Sequence, residues 1–151
     1  MKWLFVILVC AIAPISAFAE DLPPVVRAGF DAYSAKGAEA AWAAWGLEGG
    51  QKAIGQASQW TSDDKTKFAA ALSDAAKNYG RPMGYELIRT FEITPSYRTI
   101  HVLWRFERKP LFCMFVCYRG DGDWRVLNFF FGSDPREFLP ESITGMPPAR
   151  Q

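Results

Sequence analysis

The chain has 151 residues, half of them hydrophobic and 15% aromatic, which excludes intrinsic disorder and allows one domain with a hydrophobic core. Its 17 basic and 16 acidic residues nearly cancel, and no basic stripe is present that could follow a phosphate backbone. We therefore expect no nucleic-acid partner.

Residues 1–19 are typical of a cleaved signal peptide. A positive charge near the start precedes an uninterrupted apolar run over residues 3–13, and Ala17 and Ala19 occupy the two positions that a signal peptidase reads. The run is shorter than the roughly 20 residues of a membrane-spanning helix, so we expect no stable membrane anchor. The sequence predicts export, periplasmic or secreted, after cleavage between Ala19 and Glu20.

Helical periodicity follows in the first half of the exported chain. Three helices are predicted: the first ends before Gly37, the second covers residues 38–45, and the third begins near Thr61 and stops at Gly80. Their apolar stripes are Leu22, Val26, Phe30 and Tyr33, then Trp42 and Trp45, then Phe68, Leu72, Ala75 or Ala76, and Tyr79. Each stripe indicates a helix face that must pack against a partner.

The second half of the chain alternates instead, which is typical of strands. Four strands are predicted, at Tyr85–Ile93, Tyr97–Lys109, Leu111–Tyr118 and Trp124–Phe131. Their short connections predict antiparallel neighbours. We therefore predict an α+β fold, with N-terminal helices packed on one face of a curved antiparallel four-stranded meander. Residues 20–151 would form this single domain, with a core at 22–134 and a mostly loop-like tail at 135–151.

Cys113 and Cys117 lie on the third predicted strand. Four residues of strand separate them by about 13 Å, whereas a disulfide needs Cα atoms within about 7 Å, so they cannot bridge each other. Their spacing and the single histidine offer no metal site, and no cofactor motif is present. Two buried thiols are predicted, with an intermolecular disulfide as the alternative.

Two segments resemble a known family. Residues 41–45, Ala-Trp-Ala-Ala-Trp, and residues 122–129, Gly-Asp-Trp-Arg-Val-Leu-Asn-Phe, are similar to the nuclear transport factor 2-like superfamily, and the resemblance covers residues 22–134. That superfamily includes ketosteroid-isomerase-like and polyketide-cyclase-like enzymes and many small exported bacterial proteins of unknown function. The resemblance implies a cone-shaped α+β domain with an apolar pocket, often dimeric through its sheet, and it assigns no catalytic residue.

Strand alternation places two polar side chains among apolar ones. Arg89 shares a face of the first strand with Tyr85, and Asn128 shares a face of the fourth strand with Val126. Both are therefore expected to project toward the helices. A buried guanidinium must be paired, because removing its charge from water costs several kcal/mol. Structural answers are a partner such as Asp31 or a strand bulge that turns Arg89 outward.

The functional answer is a pocket for a ligand. Arg89 would hold a carboxylate or similar anionic group bidentately and Asn128 would add a hydrogen bond, while Tyr33, Trp42 and Trp104 would form the walls. The sequence thus predicts a non-catalytic binding module for a small, partly apolar anion.

Two alternatives remain open. An isomerase- or cyclase-type enzyme would need a base, for which Asp31 is the only helix-borne candidate, since His101 is expected on the outer face of the sheet. No catalytic residue is therefore assigned. The third strand is apolar on both faces, which favours a homodimer that associates through the sheet.

Overall fold

The computed structural model describes residues 22–47 and 60–145, so the predicted signal peptide lies outside the described residues. Three helices come first: α1 Pro24–Lys36, α2 Ala38–Ala44 and α3 Ser62–Tyr79. Four strands follow: β1 Pro82–Thr94, β2 Tyr97–Phe106, β3 Leu111–Arg119 and β4 Trp124–Gly132. A 3-10 turn at Pro135–Glu137 and α4 at Glu141–Thr144 end the described chain. The predicted α+β fold is confirmed.

The helix boundaries follow from local chemistry. Gly37 lies between α1 and α2 with φ of +86°, a conformation that favours glycine, and its N–H donates to the Tyr33 carbonyl at 2.8 Å. Thr61 and Asp64 form a capping box at the start of α3: the Asp64 N–H donates to Thr61 Oγ1 at 3.2 Å, and the Thr61 N–H donates to the Asp64 carboxylate at 2.9 Å. The breaks predicted at Gly37 and Thr61 are therefore confirmed.

The strands pair in chain order, β1-β2-β3-β4, and every pair is antiparallel. Short connections explain this order, because strands joined by tight turns become neighbours. The face of β2 that carries Ile100, Val102 and Trp104 is buried against the helices, as the alternation predicts.

The core between the helices and the sheet is a cluster of aromatic rings centred on Trp45. Its indole lies 5.4 Å from Phe30, 5.3 Å from Phe115 and 4.7 Å from Phe129, measured between ring centroids. The indole N–H donates to the Val26 carbonyl at 2.9 Å, which satisfies a polar group that would otherwise be buried without a partner. Trp45 therefore ties α1 to both central and edge strands of the sheet.

Gly29 on α1 makes room for that indole. A Cβ atom built on Gly29 would overlap the Trp45 ring at Nε1 and Cε2. The residue is buried in the middle of a helix, where glycine is otherwise unfavourable. Its presence there follows from the close approach of Trp45.

A β-bulge divides β1. The register steps from Leu87 opposite Val102 to Arg89 opposite His101, so Ile88 is an extra residue. An extra residue reverses the alternation beyond it, because successive side chains point to opposite faces. Arg89 consequently lies on the outer face of the sheet, turned away from the helices, and is exposed. The expectation that Arg89 faces the helices is wrong. The alternative given above, a strand bulge that turns Arg89 outward, is confirmed.

A second bulge divides β4. Here the register steps from Val126 opposite Cys117 to Asn128 opposite Val116, and Leu127 is the extra residue. Beyond it the core side chains are Phe129 and Phe131, whereas Asn128 and Phe130 lie on the outer face. The expectation that Asn128 projects toward the helices is therefore also wrong, for the same physical reason.

The residues after β4 are more regular than the predicted loop. Asp134 caps the 3-10 turn by accepting a hydrogen bond from the Arg136 N–H at 3.0 Å, and its carboxylate also accepts one from Arg136 Nε at 2.9 Å. Phe138, which follows this turn, packs its ring against Gly132 at the end of β4. A Cβ atom built on Gly132 would lie 2.6 Å from Phe138 Cε2. The segment 133–145, hereafter the C-terminal strap, thus folds back onto the sheet.

Candidate interaction surface

The five residues predicted to form a ligand pocket are not brought together. Tyr33, Trp42 and Trp104 are buried between the helices and the sheet, whereas Arg89 and Asn128 lie on the opposite face. Trp104 stacks edge-on against Tyr33 with centroids 4.7 Å apart, so both rings take part in the packing of the core. A ligand-binding role for these residues remains a prediction, without the common pocket that it assumed.

The Tyr33 hydroxyl takes part in the packing between the helices on this side of the sheet. It donates to the Leu72 carbonyl on α3 at 3.4 Å, and burial raises its pKa because the phenolate would lose its hydration. Trp42 packs against Trp60 and Phe68 at 5.5 and 5.2 Å. These contacts join the helices to each other.

Arg98 on β2 does face the helix side of the sheet. It lies opposite the buried Cys117, and its guanidinium stacks on the Trp124 ring at 3.9 Å. The Glu92 carboxylate lies 3.5 Å from Arg98 Nη2. The bulge at Ile88 brings Glu92 to this face, so one rearrangement removes Arg89 from the helix side and supplies an acid to Arg98. Sequence alternation alone could have found Arg98, which has the same parity as Ile100.

The outer face is apolar along β3 and carries charged side chains on the other strands. It includes Glu86, Arg89 and Phe91 from β1, Thr99, His101, Leu103 and Arg105 from β2, Phe112, Met114, Val116 and Tyr118 from β3, and Arg125, Asn128, Phe130 and Gly132 from β4. Phe130 is 42% exposed and Tyr118 is 36% exposed. Large rings open to water on one continuous face are characteristic of an interaction surface.

The polar groups on this face are used locally. The Arg89 guanidinium lies 5.0 Å from the centre of the Phe91 ring, a cation–π arrangement. Asn128 Oδ1 accepts a hydrogen bond from the Phe129 N–H at 2.9 Å. Glu86 and Arg105 form an ion pair at 3.2 Å. Such groups can orient a partner, but they do not form an acid–base pair for catalysis.

His101 lies on the outer face, as predicted, but it is only 4% exposed. The His101 and Phe91 rings pack edge to face, with their centroids 5.3 Å apart. Burial lowers the pKa of His101, an effect that a hydrogen bond to the Phe138 backbone partly opposes. The sequence does not reveal this burial, because alternation describes only the sheet and the segment after β4 is predicted as loop.

The strap covers one end of the outer face. The Phe138 ring and the Glu137 carboxylate lie against Gly132 on β4. The outer face is therefore divided into a covered part near Gly132 and an open part that includes Phe130 and Tyr118.

Asp31, the candidate base for an enzyme, is exposed on α1. It lies close enough to Tyr85 for its negative charge to add to the effect of burial, and both raise the pKa of the tyrosine. This carboxylate is therefore outside the aromatic core, where a catalytic base of the predicted kind would have to lie.

Cys113 and Cys117 are buried, unbridged thiols, as predicted. Burial raises the pKa of Cys117 to about 12 and that of Cys113 further, so neither is a reactive thiolate near neutral pH. Within residues 22–47 and 60–145, no three metal-ligating side chains form a group. The same residues include no helix long and apolar enough to cross a membrane.

With this geometry in place, the chain was compared with known proteins: no protein-family model, curated protein or solved structure matches it. The resemblance to the nuclear transport factor 2-like superfamily therefore stays a prediction.

Proposed function

We propose that this protein is an exported, non-catalytic interaction domain that forms a homodimer through the outer face of its sheet. The observation that carries the proposal is the exposure of Phe130 and Tyr118 beside Val116 on that face. Covering these side chains with a second copy removes apolar surface from water, which is the main driving force for protein association.

Charge supports a second copy as the partner. Arg125, which lies opposite Tyr118, provides a positive charge at one end of the outer face. The Glu137 carboxylate lies at the other end, 3.3 Å from the position of a Cβ on Gly132. A two-fold axis that runs across the strands brings Arg125 of each copy towards Glu137 of the other. One surface with opposite charges at its ends is complementary to itself, as a two-fold interface requires.

The size of the face limits the affinity. A nine-residue strand such as β3 is about 30 Å long, and four strands are about 19 Å wide, so the face covers about 570 Å² per copy. The pair would bury roughly 1,100 Å², near the lower limit for a specific interface. Because the strap occupies part of this area, we expect a reversible dimer at micromolar concentrations.

Sedimentation equilibrium over a range of protein concentrations tests the proposal. Phe130→Glu should shift the protein to monomer, because it places a charge among the apolar side chains of the outer face. Met83→Glu is the matched control, since Met83 is also an exposed apolar side chain, 57% exposed, but lies on the opposite edge strand. A wild-type protein that stays monomeric at the highest concentration would refute the proposal, and so would equal loss of dimer in both variants.

A charge exchange tests the orientation of the two copies. Arg125→Glu and Glu137→Arg should each weaken the dimer, because each places like charges opposite one another. The double variant should recover most of the association. Failure of the double variant to recover would exclude the two-fold arrangement given above.

A further inference from the structure

The C-terminal strap sits on the sheet at a glycine. A Cβ atom built on Gly132 would lie 2.6 Å from Phe138 Cε2 and 2.9 Å from Phe138 Cζ, which is too close for any side chain. Gly132 is not among the glycines with a positive φ, so its backbone conformation does not require glycine. The absence of a side chain at residue 132 is therefore what makes room for the Phe138 ring.

This contact also places a carboxylate over the outer face. Glu137 Oε2 lies 3.3 Å from the same Cβ position, although Glu137 belongs to the strap and not to a strand. The turn that carries it is held by its own hydrogen bonds. The Glu137 N–H donates to the Asp134 carbonyl at 3.2 Å. The strap is thus a folded turn, and its contact with Gly132 determines where the Glu137 carboxylate lies.

Glu137 and Arg125 are charges without a hydrogen-bond partner in their own chain. Within residues 22–47 and 60–145, neither the Glu137 carboxylate nor the Arg125 guanidinium makes a hydrogen bond or an ion pair. Arg136 is next to Glu137 in the chain, but its Nε donates to the Asp134 carboxylate at 2.9 Å. Two opposite charges at the two ends of the outer face are therefore available to another molecule.

The geometry of two facing sheets suits this pair of charges. Arg125 and Gly132 both belong to β4, so a two-fold axis that crosses β4 midway places β4 of one copy over β4 of the other. Facing sheets lie about 10 Å apart. Glu137 Oε2 lies within about 5 Å of the Gly132 Cα atom, a 3.3 Å gap and one covalent bond away. The long side chain of Arg125 from the facing copy can span the remaining distance.

We propose that the strap, docked through Phe138 on Gly132, positions Glu137 to bind Arg125 of a second copy and so selects this chain as its own partner. The inference rests on the proposed homodimer and adds the element that sets its specificity. An apolar face alone accepts many partners and orientations, whereas opposite charges at its two ends favour one arrangement. Gly132 and Phe138 act here as positioning residues.

Sedimentation equilibrium of four proteins tests this coupling. The effect of Glu137→Arg is measured in the wild-type protein and in Gly132→Ala, where the added methyl group displaces the Phe138 ring. In the wild-type protein the exchange should weaken the dimer by about 2- to 30-fold, because two exposed ion pairs are lost per dimer. In Gly132→Ala it should change the affinity by less than about twofold, because residue 137 no longer lies at the interface.

Hydrogen exchange followed by mass spectrometry measures whether the strap is docked. The amides of Phe138 and Leu139 donate to the Pro135 carbonyl at 3.2 and 2.8 Å, and a single turn is not stable alone, so their protection requires docking. Protection should fall several-fold in Gly132→Ala. Gly122→Ala is the matched control, since nothing lies within 4 Å of a Cβ atom built there. Its strap protection and its response to Glu137→Arg should equal those of the wild-type protein.

Equal weakening by Glu137→Arg in the wild-type protein and in Gly132→Ala would overturn the inference, and so would a wild-type dimer that Glu137→Arg leaves unchanged. If Gly132→Ala does not fold or keeps its strap docked, the same comparison in Phe138→Ala decides, because that variant removes the ring itself. A monomeric wild-type protein would refute the homodimer and the inference together. A dimer without this coupling would refute the inference alone.

Discussion

Gly29→Ala is the substitution for which the structure makes the sharpest prediction, because two effects of opposite sign act at one residue. Alanine is the better helix former in the middle of α1, by about 1 kcal/mol. Its methyl group, however, would occupy the position of the Trp45 indole. Propensity alone predicts that the protein becomes more stable, and packing predicts that it becomes less stable.

The magnitude follows from what Trp45 would lose. Overpacking a filled core costs about 1–3 kcal/mol. Displacing the indole also breaks its hydrogen bond to the Val26 carbonyl, and a buried N–H left without a partner costs about 1–3 kcal/mol more. After the gain in helix propensity of about 1 kcal/mol is subtracted, we expect a net loss near 3 kcal/mol.

Urea unfolding followed by far-ultraviolet circular dichroism measures the free energy of unfolding. The decisive comparison repeats Gly29→Ala in a Trp45→Leu background, where the smaller side chain leaves room for the methyl group. There the same substitution should stabilise the protein by up to about 1 kcal/mol. Ala28→Gly, at the exposed neighbouring residue of α1, is the control for propensity alone and should cost about 1 kcal/mol. A neutral Gly29→Ala, or an equal loss in both backgrounds, would refute the packing argument.

Two further predictions concern the ends of α3. Thr61→Ala removes the capping hydroxyl and should cost about 1 kcal/mol in urea unfolding, whereas Thr66→Ala, which removes an exposed hydroxyl inside the same helix, should change stability by less than about 0.5 kcal/mol. Equal effects would show that the cap does not matter. Beyond the helix, Glu107 accepts hydrogen bonds from the N–H and Nε of Arg81 at 3.1 and 2.8 Å, and these bonds lower the pKa of Glu107. Its contribution to stability is present above the ordinary value of 4.5 and is lost as the pH falls, so Glu107→Gln should lower the melting temperature at pH 7 and make it depend less on pH between 5 and 3. An unchanged slope would contradict this.

The helices and the order of the strands could be predicted because local signals determine them. Gly37 stops α1 by its own conformation, and Thr61 caps α3 with its own side chain. These effects need only a few neighbouring residues, so they can be read from the sequence.

The sequence predicts the wrong face of the sheet for Arg89 and Asn128, because a bulge depends on pairing with another strand. Nothing in β1 alone states that Ile88 has no partner on β2. The sequence nevertheless contains a weak signal of the two bulges. In both strands an adjacent apolar pair, Leu87–Ile88 or Val126–Leu127, is followed by the polar residue that breaks the alternation. A bulge produces this pattern, because the extra residue moves the polar residue that follows it to the outer face of the sheet.

The burial of His101 could not be predicted by alternation either, since alternation describes only the sheet. Phe138, whose backbone affects the pKa of His101, lies 37 residues later in the chain, in a segment with several prolines and no strong periodicity. Long-range packing of short irregular segments has little local signature. The outer face is therefore the part of this protein that is hardest to predict from its sequence.

The two bulges also have a consequence for solubility. Both lie on β1 and β4, the strands that have a neighbour on one side only. An edge strand with unpaired backbone groups is a template for further strands from other molecules, and an extra residue disturbs the regular spacing of donors and acceptors that such growth requires. Ile88 and Leu127 therefore protect the two edges against open-ended aggregation. In the proposed homodimer, association is left to side chains on the face, where it can stop at two copies.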